Sequence, residues 1–320
     1  MKLKLNATLA TIFCLLSAND CVFCQTATPP DKLVMTGDTP DQQLFFCTTR
    51  IEAATTDGKR HSIGTGFVVA VKIDEQRQIL FIVTCKHVVS GFDMASISFV
   101  DSKDGKPNLG NTCQVTIAEL PKAVFESSDP TVDIALMPLV PVLDYFKKEG
   151  KQPFFRSLTK DMVPNDEAAK DLSTIQSILF VGYPSGIRDD TNLLPVVRRG
   201  YTATPYIVDF NGLPVFLIDA SVFPGSSGSP VLVFDQGVYM LKGNYSVGTR
   251  GYFLGLVSEA YFQEKEGQVE FKKIPSQFLA TYKTSQALNL GAVVKAKAIF
   301  ALIDEFLKKY PAAASPNKGR

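Results

Sequence analysis

The chain has 320 residues, 45% of them hydrophobic and 20% charged, with 33 Lys and Arg against 32 Asp and Glu and a formal net charge of +1. That length admits one large unit or two small ones, and the balanced charge, with no long Lys/Arg block, excludes a dominant nucleic-acid footprint. Only two histidines are present, with no His/Cys spacing for zinc, no Walker-type loop and no dinucleotide glycine fingerprint, so neither a metal nor a cofactor is expected.

The first elements in chain order concern export. Met1-Lys2-Leu3-Lys4 is a short basic region, and Leu5 to Ala18 is mostly apolar. The apolar run is too short for a comfortable membrane span and fits a secretory signal. Residues 1–24 are expected to be a signal peptide, cleaved after Ala18 or Cys24, the alternative being an uncleaved anchor. The expectation is therefore an exported protein, periplasmic or extracellular, with no stable membrane span after cleavage. Of the six cysteines, Cys14, Cys21 and Cys24 belong to the leader, leaving Cys47, Cys85 and Cys113. An odd count leaves at least one free thiol, so a disulfide framework does not hold the fold, although one bridge stays open. Residues 25–43, rich in Thr, Pro and Asp, read as an exposed segment.

Residues 44–143 then read as a run of strands: Phe45 to Ala54, His61 to Val71, Gln78 to Thr84, Ala95 to Val100, Cys113 to Ala118 and Asp133 to Val140. Asp57-Gly58 marks a hairpin turn. His61, beside Arg60, reads as a solvated loop residue. His87 follows the β-branched run Phe81-Ile82-Val83-Thr84, so it sits at the end of a buried strand where a rigid frame can aim it. The alternative is a satisfied core histidine. Cys85 reads as a small packing residue, with modulation of the site by oxidation as the second reading. Asp133 precedes the apolar Ile134-Ala135-Leu136-Met137, a setting too hydrophobic for an ordinary surface aspartate. The alternative, a strand-end aspartate, suits Asp129 better. A partly buried carboxylate beside a histidine would hold one tautomer of the ring and stabilise its protonated form.

Residues 144–176 read as a polar linker with helical composition over Asp166 to Leu172. Residues 177–310 resume the strand pattern with Ile178 to Val181, Leu194 to Tyr201, Pro214 to Asp219, Ser229 to Phe234, Val238 to Lys242, Tyr252 to Val257 and Leu288 to Val294. Within them, Pro224-Gly225-Ser226-Ser227-Gly228-Ser229-Pro230 has the form of a serine-nucleophile loop, although Ser/Gly/Pro clusters are more often surface turns. A serine hydroxyl needs a neighbouring base to react. The flanking glycines allow sharp turns and leave room for a carbonyl to approach the backbone N–H groups of Gly225 and Ser227, the candidate oxyanion hole. Ile299, Leu302, Ile303 and Phe306 form one apolar helical face, ended by Tyr310-Pro311. Residues 311–320 are expected to be a flexible tail.

Base, acid and nucleophile thus occur in the order His87, Asp133, Ser227. In that order, and in the segments that carry it, the chain resembles the chymotrypsin-like serine peptidases, and most closely the bacterial trypsin-like domains of the HtrA type. The resembling segments are Gly64-Thr65-Gly66-Phe67-Val68-Val69, Thr84-Cys85-Lys86-His87-Val88-Val89, Asp133-Ile134-Ala135-Leu136, Val181-Gly182-Tyr183-Pro184-Ser185-Gly186, Phe223 to Pro230, and Leu288 to Val294. They span roughly Phe45 to Lys309. The resemblance implies an all-β fold: two six-stranded antiparallel β-barrels with the active-site cleft between them, followed by a C-terminal α-helix. It also implies a serine endopeptidase acting on polypeptide substrates through an acyl-enzyme. Ser221 would lie at the base of the primary pocket, and Leu256, Val257 and Ser258 would form its wall and a strand edge pairing with substrate. A small or medium apolar side chain before the scissile bond is then expected. The chain departs from trypsins in carrying Ser226 where they carry an aspartate that pairs with a new N-terminus, and in lacking their disulfides. With 93 residues after Ser227, most of them needed for the barrel and its helix, no PDZ domain is expected. A non-catalytic binding module of the same fold and an esterase with the same triad remain alternatives.

Overall fold

A computed structural model describes residues 35–241, 243–269 and 280–311. The signal-peptide expectation, most of the exposed N-terminal segment and the tail beyond residue 311 lie outside the described residues. The elements, in order, are α1 (Pro40–Gln43), β1 (Thr48–Ala54), β2 (His61–Lys72), β3 (Gln78–Thr84), α2 (Lys86–Val89), β4 (Met94–Lys103), β5 (Lys106–Ile117), α3 (Leu120–Ala123), β6 (Phe125–Glu126), β7 (Ala135–Pro138), α4 (Val140–Lys148), β8 (Pro153–Phe154), β9 (Leu158–Thr159) and α5 (Asp166–Lys170). They continue as β10 (Ser177–Gly182), β11 (Val196–Thr202), β12 (Val215–Asp219), β13 (Pro230–Leu241), β14 (Asn244–Val269), β15 (Ala280–Lys295) and α6 (Ala296–Lys309). The described residues from Thr36 onward cluster as one unit.

The expected all-β pair of six-stranded antiparallel barrels is not what this chain forms. The first sheet has nine strands, ordered β5-β4-β1-β2-β3-β7-β6 with β8 on β4 and β9 on β2, and that order does not return to its start. Helical segments are interleaved with the strands throughout, which makes the fold mixed α and β. The extra strands come from the polar stretch after α4. Phe154 and Leu158 are its buried residues there, and they carry β8 onto Val100 and β9, in parallel, onto Val69. Two apolar anchors in a polar segment are enough to pair short strands but too few to show as a periodic pattern. In the second sheet the order β10-β11-β12-β15-β14-β13 returns to β10 through Leu179↔Leu232.

Local sequence explains most of the individual strands. Gly58 takes φ +67° in the turn that joins β1 to β2, and the hairpin register starts at Ala54↔His61. β13 is one strand where composition suggested two. Its polar Asp235-Gln236-Gly237 stays in the ladder, opposite Arg250, Thr249 and Gly248. Backbone pairing needs no apolar side chain, and Arg250 neutralises Asp235 across the strands at 2.5 Å.

A continuous apolar cluster runs from the first sheet (Phe67, Phe81, Ile82, Leu136) into the second (Leu179, Phe253, Val294) and onto α6. The rings of Phe67 and Phe253 meet edge-on at 5.4 Å. A second cluster, with Phe180, Phe216 and Leu254, fills the second sheet. Helix α6 buries Ile299, Leu302, Ile303 and Phe306. Phe306 lies edge-on to Phe81 at 5.2 Å and to Phe125 at 5.4 Å, so the terminal helix closes back onto the first sheet. Replacing Phe306 by Ala should remove about 3 kcal/mol of unfolding free energy in a denaturant titration. Lys308→Ala, on the exposed face of the same helix, should cost no more than about 0.5 kcal/mol.

Candidate active site

The serine loop lies between β12 and β13 and is clamped from outside. Gly225 and Gly228 both take φ +87°. A Cβ at Gly228 would stand 1.9 Å from the Thr65 carbonyl oxygen, and one at Gly225 would stand 2.5 Å from the Tyr183 carbonyl oxygen. Only glycine satisfies both the conformation and the approach. The fully buried Thr65, on β2, is the clamp. Its N–H donates to the Ser227 carbonyl at 2.9 Å and its hydroxyl to the Gly225 carbonyl at 2.9 Å. The same hydroxyl accepts from the Tyr183 N–H at 3.1 Å and from the Ser229 hydroxyl at 3.3 Å. One donor and two acceptor sites are thereby all used.

His87 and Asp133 meet as their residue types suggested. Strand β3 ends at Thr84, and the one-turn α2 presents His87 beyond it. The Asp133 carboxylate accepts the His87 ring Nδ1 at 2.6 Å and the His87 backbone N–H at 3.1 Å. The hydrogen bond that the ring donates to Asp133 raises the imidazole pKa, burial works against it, and the charges of Asp133 and Glu259 add to the rise. Burial pushes the Asp133 carboxyl up, and the bonds and charge of His87 outweigh it, so the group sits below its ordinary value. The Cys85 thiol lies against the pair and donates to the Val257 carbonyl at 3.2 Å. Burial pushes its pKa well above the ordinary thiol value. Donor atoms of Cys85, His87 and Asp133 lie within 4.8 Å of one another, as for a metal ion. A thiol kept protonated is a poor metal ligand and a poor nucleophile.

Ser227, His87 and Asp133 line one cleft of about 820 Å³, together with Lys86, Pro130, Val222, Phe223, Pro224, Ser258 and Glu259. No hydrogen bond joins the Ser227 hydroxyl to the imidazole among the described residues; such bonds commonly tighten only when substrate binds. The Pro224 carbonyl accepts the Ser185 N–H at 2.5 Å. In a trans peptide the N–H points opposite to the carbonyl, so the Gly225 N–H is turned away from Ser185. Among the described residues neither that N–H nor the Ser227 N–H donates a hydrogen bond.

The remaining candidates divide. Ser258 lines the cleft, although it is largely buried and its hydroxyl is directed to the Ala292 carbonyl at 3.3 Å. Leu256 and Val257 are fully buried in the two apolar clusters. The backbone of Val257 is spent on Ser229 and Gly228. Ser221 is half-buried and does not line the cleft. Sequence reasoning passed over Glu259 and Lys86. Each adjoins a residue already singled out, and a charge next to a motif was the available signal. Cys47, Cys85 and Cys113 are all free and buried.

Residues 64–239, more than half of the chain, match the trypsin-like peptidase domain family. The chain belongs to that family. Solved structures similar to this trypsin-like chain include the Rv3671c protease from M. tuberculosis in its active form, at 19% identity over 82% of this chain and 81% of that one, with a TM-score of 0.40. Deg5 is 19% identical over 68% of this chain and 81% of that one, with a TM-score of 0.38. The scabies mite inactivated protease paralogue S-I1 is 15% identical over 82% of this chain and 95% of that one, with a TM-score of 0.39. No curated protein matches the sequence.

Two outcomes follow from this geometry. A raised histidine pKa means that the charged ring is favoured by folding. Its stabilisation is full below about pH 6.5 and is lost as pH rises through the higher folded value. In an NMR titration His87 should therefore change charge above about pH 6.5, and Asp133→Asn should move the midpoint down. A midpoint that ignores Asp133→Asn would contradict the pairing. Thr65→Val would strand the Gly225 carbonyl, the Tyr183 N–H and the Ser229 hydroxyl in a buried place, and it should lower unfolding free energy by about 3 kcal/mol.

Proposed function

We propose that this trypsin-like chain is a serine endopeptidase that hydrolyses peptide bonds through an acyl-enzyme. The observation that carries the reading is the double engagement of Asp133 by the ring and backbone of His87, in the cleft that Ser227 also lines. With Nδ1–H committed to the carboxylate, Nε2 carries the lone pair and is the free base. Ser227 Oγ attacks the scissile carbonyl carbon while Nε2 takes the hydroxyl proton. The carbonyl π electrons move to oxygen, and the N–H groups of Gly225 and Ser227 receive the resulting oxyanion, each worth about 3 kcal/mol in this reaction type. The imidazolium, stabilised by Asp133, gives its proton to the departing amine as the C–N bond breaks. Water then repeats the sequence on the ester and frees Ser227.

The leader-like N-terminal sequence supports an exported, periplasmic or extracellular, enzyme. None of the described helices is long and apolar enough to cross a membrane. For the side chain before the scissile bond the proposal is small or medium apolar, supported by Val222 and Ala260 on the cleft wall.

Labelling with a serine-reactive fluorophosphonate, followed by cleavage mapping on a denatured proteome by mass spectrometry, tests the reading. Wild type should label at Ser227 and release new peptide termini. Ser227→Ala and His87→Ala should each lower kcat by something on the order of 10⁶-fold. Asp133→Asn should cost on the order of 10⁴-fold by favouring the wrong tautomer. Peptide cleavage that survives Ser227→Ala overturns the assignment. Labelling with ester turnover but no new peptide termini would make the chain an esterase instead.

A further inference from the structure

The cleft has four ionisable lining residues: Lys86, His87, Asp133 and Glu259. Three are engaged. The Lys86 ammonium donates to the carbonyls of Ser127 at 2.9 Å and Asp129 at 3.3 Å. His87 and Asp133 hold each other. Glu259 is exposed, and among the described residues its carboxylate has neither an ion-pair partner nor a hydrogen-bond donor. Glu259 is thus the one ionisable lining residue without a hydrogen-bond or ion-pair partner among the described residues, and its charge is negative.

The position of Glu259 in β14 gives that charge a role. The register of β14 with β13 stops at Pro230↔Leu256. Val257 is still tied by its N–H to Ser229 and by its carbonyl to Gly228. On the other flank β15 continues past this point, with Glu259↔Ala292 and Ala260↔Gly291. Ser258 to Ala260 thus form a strand edge that opens into the cleft on the side of the serine loop. An extended polypeptide can add to such an edge through its backbone, with side chains selected at alternate positions. Ser258 turns its hydroxyl to the Ala292 carbonyl, whereas Glu259 is exposed and lines the cleft. Its charge also favours the protonated imidazole of His87, on the same cleft.

We infer that Glu259 is a specificity-determining residue, which selects polypeptide substrates carrying a Lys or Arg side chain upstream of the residue that occupies the primary pocket. The inference deepens the peptidase reading and rests on it for the direction of the bound chain. The cation meets a half-solvated carboxylate, so the selection is a matter of several-fold rather than of thousands. Acidic segments are disfavoured by the same charge.

Peptides identical except for Lys, Gln or Glu at the upstream positions test this with the wild type, Glu259→Gln and Glu259→Lys. The ratio of kcat/KM for the Lys peptide to that for the Gln peptide should be about fivefold in the wild type. It should shrink with added salt, approach one in Glu259→Gln, and give way to a preference for the Glu peptide in Glu259→Lys. If Glu259 acted only on the imidazole, Glu259→Gln would change all three rates alike and leave the ratio intact; that result overturns the proposal. Binding of the same three labelled peptides to Ser227→Ala, with and without Glu259→Gln, is read by fluorescence anisotropy. Should the wild type neither label nor cleave, the peptidase reading fails. Charge-dependent binding lost in Glu259→Gln would still support Glu259, and charge-blind binding would refute it.

Discussion

A single buried threonine holds together the two sheets at the point where the chemistry is proposed. Thr65 belongs to the first sheet, yet four of its hydrogen bonds go to the second half of the chain, three of them to the serine loop and its exit. Its own carbonyl accepts the Thr84 hydroxyl at 2.8 Å, at the end of the strand that leads to His87. A displacement of either sheet breaks bonds that water cannot replace, because the site is fully buried. The apolar seam beneath it, with Phe67 against Phe253, supplies adhesion without direction. Hydrogen bonds of fixed length supply the register between serine loop and histidine strand, and preorganisation of that kind is what the proposed electrostatic catalysis requires.

The histidine–carboxylate pair illustrates how opposing terms resolve. Burial alone would favour a neutral carboxyl and a neutral ring. The short Nδ1 contact and the second bond from the His87 N–H reverse the outcome at Asp133 and raise the ring at the same time. Both shifts favour the ion pair, which is the state the proposed reaction forms once the serine gives up its proton. Cys85, packed under the pair with its thiol held protonated, adds a weak donor and no competing nucleophile.

Much of this was legible in the residues, and the unread portion has definite causes. The ends of β1, β3, β12 and α6 fall close to the apolar runs that suggested them, because each is a half-buried element whose periodicity is its own. His87 and Asp133 were readable because their neighbours are too apolar for residues of their type. Strands β8 and β9 were not, since two residues each carry no period and their pairing is decided by Val100 and Val69, far away in sequence. The closed double-barrel expectation failed at the same place. Leu256 and Val257 were placed on a pocket wall by the family resemblance. The bulge between Val257 and Glu259 shifts the side-chain alternation there, and no composition signal encodes a bulge.

Ser226 bears on how the serine loop keeps its shape. It is 1% exposed, and its hydroxyl has no hydrogen-bond partner among the described residues. An aspartate in that position would be a buried charge costing several kcal/mol unless a cation reached it. A lone buried hydroxyl costs about 1–3 kcal/mol, and no ion has to be supplied. The loop must then be ordered by neutral bonds, and those in place include Gly228 to Val257, Thr65 to Ser227, Thr65 to Gly225, and Ser185 to Pro224. The last is held by Ser185 in a left-handed conformation at φ 51°, a strained backbone for serine that the surrounding contacts must offset. By fixing the carbonyl of Pro224 outward, it turns the Gly225 amide to the opposite side with no charge involved. The Gly225 N–H, one of the proposed oxyanion donors of this trypsin-like chain, is thus aimed by backbone geometry that neither pH nor salt screens.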